Sequence, residues 1–146
     1  MNYERYAIDK MREYRSKLAG VKNLEEELAD LRDRQTSLKT CSFDAMAIPG
    51  SGASRAEDAM INLIANIDEK ERIIKQNKRE LRRVKRALSI LTEKEKEVVT
   101  AFFLDPVDNP VDYLRRERHY ERTWIYDTRR DAIRKFARAF YGVVDD

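Results

Sequence analysis

Residues 92–142 read TEKEKEVVTAFFLDPVDNPVDYLRRERHYERTWIYDTRRDAIRKFARAFYG, and the punctuation of this stretch predicts three helices separated by turns. Thr92 with Glu95 is a capping box, in which a hydroxyl and a carboxylate three residues apart satisfy each other's free backbone N–H groups. It opens a short helix through Val98, Val99, Phe102, Phe103 and Leu104. The two prolines of DPVDNP interrupt it. Asn109 then caps, and Pro110 occupies the first turn, of a second short helix, because the missing proline N–H is unpaired there in any case. A turn near His119–Glu121 follows, and a last helix runs from about Arg122 to Tyr141 and stops at Gly142.

Each of the three helices has one apolar face. Ile125, Ala132, Ile133, Phe136 and Phe140 supply it on the last helix, Val111 and Leu114 on the second, and Val98, Phe102 and Phe103 on the first. Three small amphipathic helices that bury one another in this way have the architecture of a helix-turn-helix domain. The N-terminal half of the last helix carries Arg122, Thr123, Trp124, Tyr126, Asp127, Arg129 and Arg130. A recognition helix presents such residues to base edges, where arginine pairs with guanine through two parallel hydrogen bonds. Arg115, Arg116 and Arg118 on the preceding helix then lie over the phosphate backbone. The expected DNA-binding set is therefore Arg115, Arg116, Arg118, Arg122, Thr123, Tyr126, Arg129 and Arg130, against the plainer reading of a solvated basic face.

Upstream, the pattern changes from short helices to long ones. Met60, Leu63, Ile67, Lys70, Ile74, Asn77, Leu81, Val84, Leu88 and Leu91 alternate in steps of three and four without a slip, which predicts a helix over about Ala56–Leu91. Lys70 and Asn77 are polar residues on that seam, where such residues set register or oligomeric state. In the N-terminal segment Met11, Tyr14, Leu18 and Val21 follow the same rhythm, as do Leu24, Leu28, Leu31, Gln35 and Leu38. The step from Val21 to Leu24 is three where four is due, so a bend or break is expected near Gly20. Between the helices, TCSFDAMAIPGSGASR (Thr40–Arg55) reads as a loop, with Ser54 and Glu57 as a capping box for the second helix. The expected fold is all-α. Residues 1–91 form a long coiled-coil-like helical hairpin with a loop at 40–55, suited to oligomerisation, and residues 92–146 form the helix-turn-helix domain.

Composition agrees with long helices. Charged residues make up 39% of the 146 residues, against four glycines and three prolines. The formal net charge is only +3, but it is unevenly spread. Lys70–Arg86 holds nine Lys or Arg against two Glu, and Pro110–Gly142 nine against five, whereas the first forty residues nearly balance. An anionic partner is expected where the positive charge collects. Cys41 is the one cysteine, which excludes an intramolecular disulfide and reads as a small thiol without a redox role. No apolar run approaches the length of a membrane span, and the N-terminus has no secretory core, so a soluble cytoplasmic protein is expected. His119 is the one histidine, which leaves no histidine-pair metal site, and it reads as a turn or capping residue. There is no phosphate-binding glycine loop, metal-ligand cluster or nucleophile beside a base, so neither catalysis nor a cofactor is expected. Asp145 and Asp146 read as a frayed end. Three roles stay open to Trp124: packing beneath the turn, stacking on a sugar or base, and anchoring a protein partner.

LTEKEKEVVTAFFLD (Leu91–Asp105) with VDYLRRERHYERTWIYDTRRDAIRKFARAFYG (Val111–Gly142) resembles region 4 of bacterial sigma factors. That region also opens on a Leu-Thr/Ser-x-x-Glu helix and ends in a recognition helix with a Tyr-x-x-Arg-Arg-like run. Thr123, Trp124, Ile125 and Tyr126, then Arg129, Arg130, Ala132 and Ile133, are the matching residues. AIDKMREYRSKLAGVKNLEEELADL (Ala7–Leu31), the Pro-Gly loop and the long second helix resemble the ArpU/RinA-type regulators of Gram-positive phages and prophages. This resemblance covers nearly the whole chain and implies activation of phage late genes by promoter binding, with Tyr126 and Arg129 the best-matched recognition residues. The chain departs from the pattern in its acidic link DPVDNP and in Asp127 on the reading face. The partners implied are double-stranded DNA, RNA polymerase and a second copy of the chain, with no membrane. The alternative is a helical adaptor that binds RNA polymerase or another protein without reading DNA sequence.

Overall fold

The computed structural model describes residues 2–45 and 52–142. Every regular element among them is helical: α1 (Tyr3–Ala45), α2 (Gly52–Leu88), α3 (Glu93–Val99) continued by a π-helical turn (Thr100–Leu104), α4 (Pro110–Arg118) and α5 (Arg122–Tyr141). None of these helices is long and apolar enough to cross a membrane. The chain divides into two compact units, residues 19–78 and residues 1–18 with 79–146.

Three sequence expectations are corrected. First, α1 passes through Gly20 without a break. The missing step of the repeat is absorbed earlier, where the half-buried Lys17 takes the inward position and Leu18 is left 39% exposed. A lysine can do this because its aliphatic stem packs while its ammonium reaches a carboxylate. Second, the expected Thr40–Arg55 loop is shorter, since α1 continues to Ala45 and α2 begins at Gly52. Residues 46–51 of that loop lie outside the described residues, as do Asp145, Asp146 and the side chain of Cys41. Third, Ser54 and Glu57 fall inside α2 and so do not cap it.

Within residues 19–78, ion pairs join α1 to α2. Glu25 pairs with Lys78, Glu27 with Lys70 (3.0 Å), and Arg32 with Glu71 (2.6 Å). Val21, Leu28, Leu63, Ile67 and Ile74 are buried along the seam. The pair with Glu27 explains how Lys70 is tolerated at a seam position. Surface pairs of this kind contribute at most about 1 kcal/mol each, so the buried apolar residues carry most of the association.

The other unit is built around α5. One cluster joins Ala7 and Met11 of α1, Val84 and Ala87 of α2, Leu91, Val99 and Phe103 to Ala132, Ile133, Phe136, Ala137 and Phe140 of α5. A second cluster joins Val98, Ala101, Leu114 and Ile125, with Trp124, Tyr120 and Val111 packed at its edge. The half-buried Phe102 packs against both.

Polar links hold the helix ends. Thr92 and Glu95 form the reciprocal capping box, and Lys135 donates to Glu95 Oε1 at 2.9 Å, tying the start of α3 to α5. Burial alone would raise the Glu95 carboxyl. The hydrogen bonds from Lys135 and Thr92 outweigh it and hold the group below the ordinary carboxylate range. Arg83 donates to the Phe140 carbonyl (3.1 Å) while its guanidinium lies 4.4 Å from the Phe140 ring, placing a cation at the C-terminus of α5. Gly142, at φ 68°, closes that helix in the left-handed conformation.

Met11 is fully buried in the cluster that α1 shares with α5. Met11→Ala is expected to destabilise this unit by about 2–5 kcal/mol. Urea unfolding followed by fluorescence of Trp124, the one tryptophan, should show the loss. An unchanged midpoint would mean that α1 does not support the C-terminal helices.

Candidate functional site

The turn between α4 and α5 is set by backbone chemistry. Leu114 and Arg115 carbonyls accept the N–H groups of Tyr120 (3.4 Å) and His119 (3.1 Å). His119 closes α4 at φ 59°, a left-handed conformation that costs an L-residue energy and that histidine adopts more readily than most. Glu121 precedes α5 in extended geometry with no side-chain cap. Trp124 packs half-buried against the second cluster, with its ring 4.3 Å from that of Tyr120.

Helix α5 is used differently along its length. From Ala132 onward its buried residues form the inner side of the large cluster. In the first three turns Ile125 alone is fully buried, and Arg122, Thr123, Tyr126, Asp127 and Arg130 are exposed. The end of the helix is therefore an anchor, and its beginning is free to meet a partner.

The eight expected residues do not share one environment. Arg122 lies with its guanidinium 5.9 Å from the Tyr126 ring, and Tyr126 is 42% exposed. Both line a cleft with Arg115, Phe102, Val111 and Asp112. Thr123 is exposed one residue along. Arg130 approaches Asp127 at 3.4 Å and Asp131 at 3.8 Å, so two acids compete for its charge. Arg116 lies 3.3 Å from Glu117. Arg118 is 3.2 Å from Glu97, whose other oxygen accepts the Tyr120 hydroxyl at 2.8 Å. That hydrogen bond, with some burial, raises the Tyr120 phenol above its ordinary value.

Arg129 stands apart. It is half-buried, with its guanidinium 4.7 Å from the Phe102 ring and 5.3 Å from the Phe103 ring. This stacking fastens α5 to the π-helical turn. The turn itself, closed by the Asp105 N–H on the Thr100 carbonyl at 2.9 Å, is a feature the heptad and capping patterns do not announce. The signal available in the sequence was the aromatic pair Phe102-Phe103 immediately before a proline-bearing break. The structure thus brings Arg115, Arg122 and Tyr126 together around one cleft, leaves Thr123, Arg116 and Arg130 exposed nearby, and directs Arg118 and Arg129 towards intramolecular partners.

No protein-family model, curated protein or solved structure matches this chain.

Removing the Arg129 side chain forfeits its stacking, so Arg129→Ala is expected to lower stability by about 0.5–2 kcal/mol. Arg129→Lys should recover only part of this, because an ammonium lacks the planar guanidinium face. Denaturant midpoints of the two variants provide the check, and a midpoint equal to that of the parent in Arg129→Ala would exclude the framework role.

Proposed function

We propose that the chain is a sequence-specific DNA-binding transcription regulator, a late-gene activator of phage or prophage type. In this reading α1 and α2 are a helical hairpin, and α3, α4 and α5 are a sigma region 4-like helix-turn-helix. The observation that supports it best is the division of α5 into a buried C-terminal anchor and an exposed N-terminal half bearing Arg122, Thr123, Tyr126 and Arg130. A helix entering the major groove needs this arrangement, since its leading turns must be bare while its trailing turns hold the angle.

The roles follow from exposure and pairing. Arg122, which makes no ion pair among the described residues, is assigned to base edges, with Thr123 and Tyr126 beside it. Arg115 and Arg116 on α4 are assigned to phosphates. Arg130 is held back by Asp127 and Asp131 until DNA displaces them, and Arg129 keeps α5 at its angle. The acids on this face weaken indiscriminate attraction to phosphate and leave affinity dependent on the correct bases. RNA polymerase is the protein partner proposed for an activator of this kind.

Selection from a pool of randomised DNA duplexes should enrich one sequence class. Arg122→Ala should then lose about 1–3 kcal/mol of preference for it with the fold intact. If no class is enriched, the reader assignment fails and the adaptor reading, tested with RNA polymerase as bait, replaces it.

We also propose that the regulator acts as a homodimer. Ile61 and Ile64, one turn apart on α2, are 64% and 40% exposed, an apolar pair on a charged helix that a second copy would cover. Sedimentation equilibrium should give twice the 17.3 kDa chain mass, and Ile61→Glu with Ile64→Glu should return the monomer. A parent protein that sediments as a monomer at micromolar concentration would remove the dimer from the proposal.

A further inference from the structure

The charge that collects on α2 is not absorbed by the site on α4 and α5. Between Arg72 and Thr92 the sequence holds a single acid, Glu80. That acid is turned inward and takes hydrogen bonds from both Lys10 and Lys17 of α1. Burial alone would raise its carboxyl, and the two ammonium groups outweigh this and hold it below the ordinary carboxylate range. One carboxylate answering two lysines has nothing left for its neighbours on α2.

Arg79, Arg82 and Arg86 are those neighbours. Spaced at i, i+3 and i+7, they fall on one face of the helix, and all three are exposed. None pairs with a carboxylate among the described residues. Elsewhere on α2, Lys70 pairs with Glu27, Arg72 with Glu69 and Lys78 with Glu25. The opposite face, Leu81, Val84 and Ala87, is buried, which holds the three arginines in a fixed direction. The row spans about 10 Å along the helix axis.

We infer that Arg79, Arg82 and Arg86 form a second contact surface that receives the sugar-phosphate backbone of duplex DNA, separate from the proposed reading face of α5. Duplex DNA offers about one negative charge per 1.7 Å of axis, so a row of this length meets several phosphates at once. Guanidinium groups bind phosphate oxygens in pairs. The three arginines are not interleaved with apolar side chains, whereas a protein interface needs a dry apolar centre to supply affinity. The surface adds affinity without sequence preference. It stands independently of the reading assigned to α5, since no base contact is involved.

The test uses the full chain with Arg79→Gln, Arg82→Gln and Arg86→Gln combined, and as probe a random-sequence DNA duplex of thirty base pairs titrated with salt. Glutamine keeps helix propensity, and circular dichroism with the urea midpoint establishes that the fold is unchanged. The slope of log affinity against log salt should become shallower by about three, and binding at low salt should weaken at least tenfold. The matching triple change to lysine should keep most of the slope, because charge and not geometry sets counterion release. Any preference of α5 for a selected sequence over the random duplex should keep its ratio in the glutamine variant. A changed ratio with an unchanged salt slope would overturn the inference and move the arginines to base reading. Unchanged duplex binding, with loss of binding to polyglutamate, would overturn it in favour of an acidic protein partner.

Discussion

Burial of the C-terminal half of α5 is the constraint on which the rest of this unit depends. Phe136 and Phe140 stack with ring centroids 5.7 Å apart, and Ala132, Ile133 and Ala137 complete the buried surface. Three short helices alone do not cover so much apolar area. The missing cover comes from Ala7 and Met11 of α1, from Val84 and Ala87 at the end of α2, and from Leu91 just beyond it. Residues far apart in sequence are thereby committed to one core, and the start of α5 is left exposed because its end is so fully occupied. Phe102 connects this core to the smaller one around Ile125, so the two clusters hold α3, α4 and α5 in one arrangement.

Charge is distributed on the same logic. Where a carboxylate is buried or half-buried, as with Glu95 and Glu80, basic side chains approach it and keep it ionised. Such groups fix helix ends and helix register, since leaving either acid unpaired in its pocket would cost several kcal/mol. Where the surface is open, pairing is looser. Arg130 is shared between two acids, while Arg122, Thr123 and Tyr126 face solvent. An ion pair between exposed groups is worth little and is readily exchanged for a stronger one with phosphate.

Much of the secondary structure was legible because it is written locally. The capping box at Thr92, proline at the first turn of α4 and glycine after Tyr141 act within one helical turn, and each marks a real helix end. The repeat of α2 likewise predicts its buried side from Leu63 to Val84. What could not be read depends on distance. That Lys17 rather than Leu18 turns inward follows from the position of Glu80, sixty-three residues away. The ends of the expected loop, Thr40–Ala45 and Gly52–Arg55, are helical because glycine and proline act on a helix only close to their own positions. In the candidate site the exposed positions of Arg122, Thr123 and Tyr126 follow from helical periodicity. The stacking of Arg129 on Phe102 does not, since it requires the π-helical turn to present that ring.

The difference between Arg122 and Arg129 shows how a basic helix divides its work. Seven residues separate them, close to two helical turns, so a wheel diagram puts them on nearly the same face. Their surroundings differ because the Phe102 and Phe103 rings lie against the second, while the first lies beside Tyr126. Beside aromatic rings and partly out of water, a guanidinium gains from the ring quadrupole and loses freedom to move. Beside Tyr126 and solvent, it keeps its rotamers and all its donors. Arginine at 129 therefore spends its planar face inside the molecule, whereas arginine at 122 lies beside Tyr126 at the surface. On the proposed DNA-binding reading, a helix that offered every arginine to DNA would gain charge but lose the support that holds its angle. Sequence discrimination depends on that angle, because hydrogen bonds to base edges tolerate little misplacement.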